Sequence, residues 1–165
     1  MILKSKRKGI ILAGGTGSRL SPLTLPVSKQ LLPVFDKPMI YYPLTTLMIA
    51  GISEILIITK PEERILFEKL LGNGNHLGIS INFEVQSKPR GIAESFLIAS
   101  DFIGKSNVAL ILGDNLFHGD RLEACLQIAD KQEEGGTIFA YPVQNPESYG
   151  VVEFDQQGAA INIVE

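Results

Sequence analysis

The apolar run Ile10-Ile11-Leu12-Ala13 opens directly into Gly14-Gly15-Thr16-Gly17-Ser18-Arg19, and this junction constrains the fold more than any other stretch. A short apolar run bounded by glycine reads as a strand buried within a sheet, which needs neighbouring strands and cover on both faces. The small residues that follow leave a row of backbone N–H groups with few side chains in the way, a concavity suited to phosphate. Arg19 and, ten residues later, Lys29 would bring fixed positive charge to a polyphosphate there.

The rest of the chain repeats the strand-then-helix theme. Met39–Ala50 carries Ile40, Leu44, Leu47 and Met48 at helical spacing and is closed by Gly51, with Pro43 a misfit that predicts a kink or a helix start nearby. Glu54–Thr59 reads as a strand, Pro61 to Leu71 as a helix, and Gly72 to Asn75 as a loop. Ile79–Gln86 alternates, with Ile81, Phe83 and Val85 on one face. Ile92–Phe102 predicts a helix, Val108–Leu112 a strand ending in Gly113-Asp114-Asn115, Asp120–Glu133 a helix and Thr137–Val143 a strand. Val151–Phe154 and Ala160–Val164, joined through Asp155-Gln156-Gln157-Gly158, predict a β-hairpin. Strands separated by helices imply an α/β fold, Rossmann-like in the broad sense, with a mostly parallel sheet between helical layers. Ligands in such sheets gather at the carboxyl ends of the strands. Both Gly14–Arg19 and Gly113–Asn115 fall there.

At 165 residues the chain is one domain by length, and 45% hydrophobic with 20% charged residues is an ordinary globular balance. A net charge of −3 argues against general affinity for nucleic acid. No apolar run reaches membrane-spanning length, and Met1-Ile2-Leu3 is too short for a signal-peptide core. Residues 1–8, with Lys4, Lys6, Arg7 and Lys8, read as a solvated basic extension ahead of a nucleotide-binding domain over 9–165. The lone Cys125 fits a reducing cytoplasm, as a small buried group in a helix.

Two familiar phosphate loops fail. A Walker loop needs a lysine straight after its last glycine, and none stands there. The dinucleotide fingerprint meets Leu20 where its third glycine belongs, and Asp36 lies in Phe35-Asp36-Lys37-Pro38 and not at the end of a second strand. Instead, Leu12-Ala13-Gly14-Gly15-Thr16-Gly17-Ser18-Arg19-Leu20 with Ser28-Lys29-Gln30-Leu31-Leu32-Pro33 resembles the signature of the sugar-1-phosphate nucleotidyltransferases. Asp36-Lys37-Pro38-Met39-Ile40-Tyr41-Tyr42-Pro43-Leu44 looks most like their glucose-1-phosphate thymidylyltransferase branch.

The resemblance implies that a glucose 1-phosphate oxygen attacks the α-phosphorus of dTTP, giving dTDP-glucose and expelling pyrophosphate. Both reactants are anions, so neutralising charge and aligning the attack are the main tasks. By similarity, Leu12, Gly14, Gly15, Thr16 and Gly17 bind the nucleotide through the loop. Arg19 holds the β- and γ-phosphates with its planar fork, and Lys29 sits by the α-phosphate. Asp114 ends an apolar strand, an expensive place for a carboxylate without a partner, and the resemblance makes it a ligand of Mg²⁺. Gln86 reads the base, and Gly91 lets backbone approach it. Asn115, Tyr149, Gly150 and Glu165 meet the sugar. Gly91-Ile92-Ala93-Glu94-Ser95 departs from the family's usual Gly-Leu-Ala-Gln-Ala; a carboxylate at Glu94 either points away from the triphosphate or alters nucleotide preference.

Family members normally continue past the position of Glu165 with Lys-Pro, whose lysine binds the sugar phosphate, and later carry a second metal-binding aspartate and subunit-contact helices. The expectation is therefore a triphosphate-binding part of a longer, homo-oligomeric enzyme that binds nucleotide but turns over slowly alone. UTP- or CTP-dependent transfer and a non-catalytic nucleotide-binding fragment are the alternatives.

Overall fold

A computed structural model of the chain describes residues 5–15, 17–88 and 90–164. The chain forms two compact units, residues 1–133 and 134–165.

The first unit is built on four parallel strands in the order β5-β4-β1-β6. These are β1 (Lys8–Ala13), β4 (Glu54–Thr59), β5 (Ser80–Val85) and β6 (Val108–Leu112), with the short antiparallel pair β2 (Pro33–Val34) and β3 (Lys37–Pro38) between β1 and β4 in the chain. β1 lies at the centre: Ile11 faces Ile57 on one side and Ile111 on the other. Strands hemmed in on both edges and both faces must be apolar throughout, which is why β4 reads as unbroken Ile-Leu-Ile-Ile. The alternation of β5 has the opposite cause: Ile81 is buried while Ser80, Asn82 and Glu84 are exposed, as on an edge strand covered on one face.

Helices cover the two faces separately. α1 (Tyr41–Ile49) and α2 (Arg64–Leu71) bring Leu44, Leu47, Phe67 and Leu71 against Ile11, Ile55, Ile57 and Ile111. On the other face α3 (Glu94–Ile98) and α4 (Ser100–Ile103) close over Ile10, Leu56 and Ile58, with Ala99 at their junction fully buried. Burying side chains of this size contributes about 1.5–3 kcal/mol each. The layered α/β class expected from the strand–helix alternation is thus the observed one.

Several local expectations sharpen. Pro43 falls in the first turn of α1, where its missing N–H is not needed, so it ends up buried without breaking the helix. Gly51 follows α1 at φ 77 and carries the chain away from it. Ile92–Phe102 forms two short helices in place of one: Ala99 sits at φ −84, ψ 4, while Ala99 N–H to Ser95 and Ile103 N–H to Ala99 keep the bonding continuous across the joint.

Three expectations are corrected. Arg7 and Lys8 are not solvated: the Arg7 guanidinium donates to the Ala129 and Asp130 carbonyls at the end of α5 (Leu122–Asp130), and Lys8 Nζ donates to Phe102 O at 2.6 Å. Cationic side chains satisfy carbonyls that a helix end leaves open. Cys125 is exposed, because the half-buried face of α5 runs through Leu122, Leu126 and Ala129 and the thiol lies beside it. Thr137–Val143 joins no ladder among the described residues, and a strand exists only through a paired neighbour.

The second unit holds the expected hairpin, β7 (Val151–Phe154) with β8 (Ala160–Val164), its register irregular at Glu153/Phe154. Asp155 organises the turn by accepting from the backbone N–H groups of Gln157 and Ala159. No described helix in either unit is long and apolar enough to cross a membrane.

Candidate functional site

The carboxyl ends of β1 and β6 lie side by side, so the segments that follow them meet. Gly113 N–H donates to Leu12 O at 2.9 Å, carrying the β1–β6 ladder one step into the loops. A Cβ on Gly113 would stand 2.9 Å from Gln30 Cγ and 3.1 Å from Ala13 Cβ, so this glycine lets the turn after β6 close on the segment carrying Lys29.

The glycine loop is shaped by a second close approach. Gly17 adopts φ 62, ψ 21, a left-handed conformation that costs an L side chain about 1–2 kcal/mol. A Cβ there would also meet Thr24 Cγ2 at 2.9 Å and Lys29 Cβ at 3.1 Å. Thr24 Oγ1 donates to Gly17 O at 2.9 Å and pins the loop from outside. Gly15, by contrast, faces open space. The turn after Gly17 is a single 3-10 turn, Ser18–Leu20, which exposes Arg19. A similar turn, Lys29–Leu31, presents Lys29.

These pieces enclose a cavity of about 210 Å³ lined by Gly15, Gly17, Arg19, Lys29, Gln30 and Asp114 among others. Lys29 Nζ lies 2.8 Å from Asp114 Oδ2, joining residues 85 positions apart. Both side chains are about a third exposed, so this pair adds at most about 1 kcal/mol to stability; its consequence is positional. Asp114 compensates Lys29, and Arg19 leaves the cavity with an excess positive charge. An open, cation-rich hollow over glycine backbone is suited to a polyphosphate.

Asp114 is the carboxylate of this cavity, and no group of three His, Cys, Asp or Glu able to hold a metal exists among the described residues. Such a donor set fits an ion that arrives on phosphate, because Mg²⁺ takes one or two carboxylates and completes its shell with phosphate oxygens and water.

Gln86 follows β5, its N–H bonded to Thr59 O at 2.8 Å, and it is buried at 5% exposure. Its carbonyl Oε1 lies 2.8 Å from where a Cβ on Gly14 would stand, so this amide packs directly against the bare backbone of Gly14. Gln86 Nε2 donates to Glu94 Oε2 at 2.7 Å, and the other Glu94 oxygen lies 3.9 Å from Arg90 Nη1. Glu94 is thus turned onto the glutamine and does not line the phosphate cavity. Gly91 takes φ 92 in the loop before α3.

The structure therefore gathers Gly15, Gly17, Arg19, Lys29 and Asp114 around one cavity and seats Gln86 against Gly14, while Asn115 follows Asp114 with its N–H on Leu112 O. Tyr149 and Gly150 precede β7 in the second unit, with Tyr149 N–H on Pro146 O. Thr16 and Glu165 lie outside the described residues. Gln30 is a residue that the sequence pattern did not single out. It is buried, accepts from Ser28 Oγ at 2.6 Å and lines the cavity. Its signal was a polar residue just ahead of Leu31-Leu32, at a place where burial had no other marker.

Residues 8–165 match the sequence model of the family described as Nucleotidyl transferase. The chain belongs to that family. Among curated members, the glucose-1-phosphate thymidylyltransferase of Xanthomonas campestris pv. campestris strain B100 is 56% identical over 161 residues, which are 98% of this chain and 55% of that protein. The glucose-1-phosphate thymidylyltransferase of Neisseria meningitidis serogroup A is 56% identical over 158 residues, 96% of this chain and 55% of that protein. The chain spans about half the length of these relatives. A Bacillus anthracis crystal structure, assigned as a glucose-1-phosphate thymidylyltransferase in complex with sucrose, superposes with a TM-score of 0.87 at 40% identity, covering 96% of this chain and 64% of that one. A UDP-glucose pyrophosphorylase complexed with UDP-glucose gives a TM-score of 0.61 at 25% identity, covering 76% of this chain and 53% of that one. The family's fold thus matches over nearly the whole chain.

Proposed function

We propose that this chain supplies the triphosphate-binding part of a site that transfers a thymidylyl group from dTTP to glucose 1-phosphate, giving dTDP-glucose and pyrophosphate. The observation that carries the reading is the Lys29–Asp114 pair at 2.8 Å in a glycine-walled cavity that also holds Arg19. The thymidylyltransferase names of relatives 53–56% identical support the choice of substrates.

In this reading the backbone of the glycine loop cradles the triphosphate. Arg19, exposed and able to offer two parallel N–H donors, takes the β- and γ-phosphates and holds the pyrophosphate as it leaves. Lys29 faces the α-phosphate and stabilises charge that builds as an oxygen of glucose 1-phosphate attacks and the bond to pyrophosphate breaks. Asp114 would hold Mg²⁺, which when bound withdraws charge from the phosphate oxygens. Gln86 and Gly91 receive the base, and Asn115, Tyr149, Gly150 and Glu165 belong to the sugar side. In this reading the layered unit is the nucleotide-binding part, working in the cytoplasm, with full-length relatives as homo-oligomers.

Calorimetry with dTTP and release of pyrophosphate on adding glucose 1-phosphate test this. dTTP binding that Lys29→Met and Arg19→Ala weaken is expected; no binding of any nucleoside triphosphate would refute it. The structural likeness to a UDP-glucose pyrophosphorylase favours UTP as the second reading, and comparing dTTP with UTP in the same assay separates the two.

A further inference from the structure

Gln86 is an unusual residue to leave ambiguous, because a primary amide offers a donor at one end and an acceptor at the other and can turn over. Here one neighbour removes the choice. A carboxylate only accepts, so Glu94 Oε2 at 2.7 Å demands the amino end of Gln86; the turned-over amide would set two acceptor oxygens against each other at that distance. Arg90 Nη1, 3.9 Å from Glu94 Oε1, keeps a positive charge behind the carboxylate. With Nε2 held toward α3, Oε1 points at the glycine loop, into the space that the absent Cβ of Gly14 leaves open. The clamp is largely withdrawn from water, as Gln86 is 5% exposed and the Glu94 side chain 22%. A glutamine in place of Glu94 could meet Gln86 with either its oxygen or its nitrogen and would leave both orientations open.

We propose that Glu94 is a positioning residue that fixes the Gln86 amide with its acceptor toward the base, and so selects pyrimidines carrying a hydrogen on N3 (thymine or uracil) against cytosine. This rests on the reading of Gln86 as the residue that meets the base. Thymine and uracil present N3–H to Oε1 and a carbonyl oxygen to the second Nε2 hydrogen. Cytosine presents a lone pair at N3 and an amino group at C4, the reverse pattern, and Gln86 could satisfy it only by turning its amino end away from Glu94. Rejection by misplaced hydrogen-bonding groups is stronger than rejection by size.

The test measures dTTP, UTP and dCTP binding by calorimetry to the full chain and to Glu94→Gln and Glu94→Met, with thermal melts to verify folding. The wild-type chain is expected to favour dTTP over dCTP about 100-fold, Glu94→Gln to shrink that ratio about tenfold with dTTP affinity kept within about threefold, and UTP to follow dTTP throughout. An unchanged ratio in a folded Glu94→Gln chain that binds dTTP would overturn the role of Glu94 alone. A second readout needs no nucleotide: in ¹⁵N-resolved NMR one Gln86 Nε2 hydrogen should be shifted downfield and protected from exchange in the wild-type chain and lose both properties in Glu94→Met. Absence of that signature in the wild type overturns the clamp. Its presence in a chain that binds no pyrimidine triphosphate overturns the base-site reading, and the selectivity with it.

Discussion

β4 and β8 are both written in strand-forming residues, E-I-L-I-I-T and A-I-N-I-V, yet they end in opposite states. Ile55 to Thr59 of β4 are buried to 0–1% exposure, whereas Ile161, Ile163 and Val164 of β8 remain 47–64% exposed. The difference lies in their neighbours. β4 is paired on both edges, by β1 and β5, and sits between two helical layers; among the described residues β8 pairs with β7 alone. A lone two-stranded hairpin carries little stability of its own, so apolar composition makes a strand, but flanking strands and covering helices make a core. That contrast extends to function. Arg19, Lys29 and Asp114, the residues proposed to meet phosphate, line one cavity of the layered unit, whereas Tyr149 and Gly150 lie in the hairpin unit.

The sharpest way to break this comparison is to make one deletion in both units. Phe67→Ala, at a fully buried position of α2, should cost about 3–5 kcal/mol in urea unfolding, while Phe154→Ala, at 56% exposure in β7, should cost under about 0.5 kcal/mol. Equal losses would mean that the hairpin is as much a core element as α2. Next in size, Lys29→Met is expected to lower pyrophosphate release about 10²–10³-fold while moving the unfolding midpoint little, since the ion pair is partly solvated. A large stability loss with unchanged turnover would instead make the pair a structural tie. Gly17→Ala should destabilise the layered unit by about 1–2 kcal/mol and weaken dTTP binding, because both the left-handed backbone and the contact with Thr24 and Lys29 exclude a Cβ.

The smallest effect is expected at Asp36, in the exposed turn between β2 and β3. Its hydrogen bond with Lys37 holds the carboxyl below its ordinary pKa and raises that of Lys37. A carboxyl lowered by folding adds stability above its unfolded pKa and loses it as pH falls through the folded one. Here the partners are chain neighbours in solvent, so the unfolded chain keeps much of the contact. Melting midpoints of Asp36→Asn and wild type should coincide in strongly acidic buffer and differ at most marginally at neutral pH. A clear neutral-pH deficit would show that this turn is tied into the layered unit.

Sequence alone determined the layered α/β class, the identity of most strands and helices, and the glycine-rich turn after β1, because each rests on local chemistry. An unbroken apolar run specifies a strand enclosed on both faces, and glycines mark where backbone must come close. It misjudged Cys125, Arg7 and Lys8, and Thr137–Val143, and passed over Gln30, since burial and pairing there depend on how the chain folds back on itself. The 2.8 Å meeting of Lys29 with Asp114 required β1 and β6 to lie adjacent, a matter of strand order that no local pattern encodes. The same holds for Glu94. As a letter in the sequence it was a carboxylate in an awkward place; tertiary structure made it the partner of Gln86, because only the folded chain brings the end of β5 and the start of α3 within one hydrogen bond.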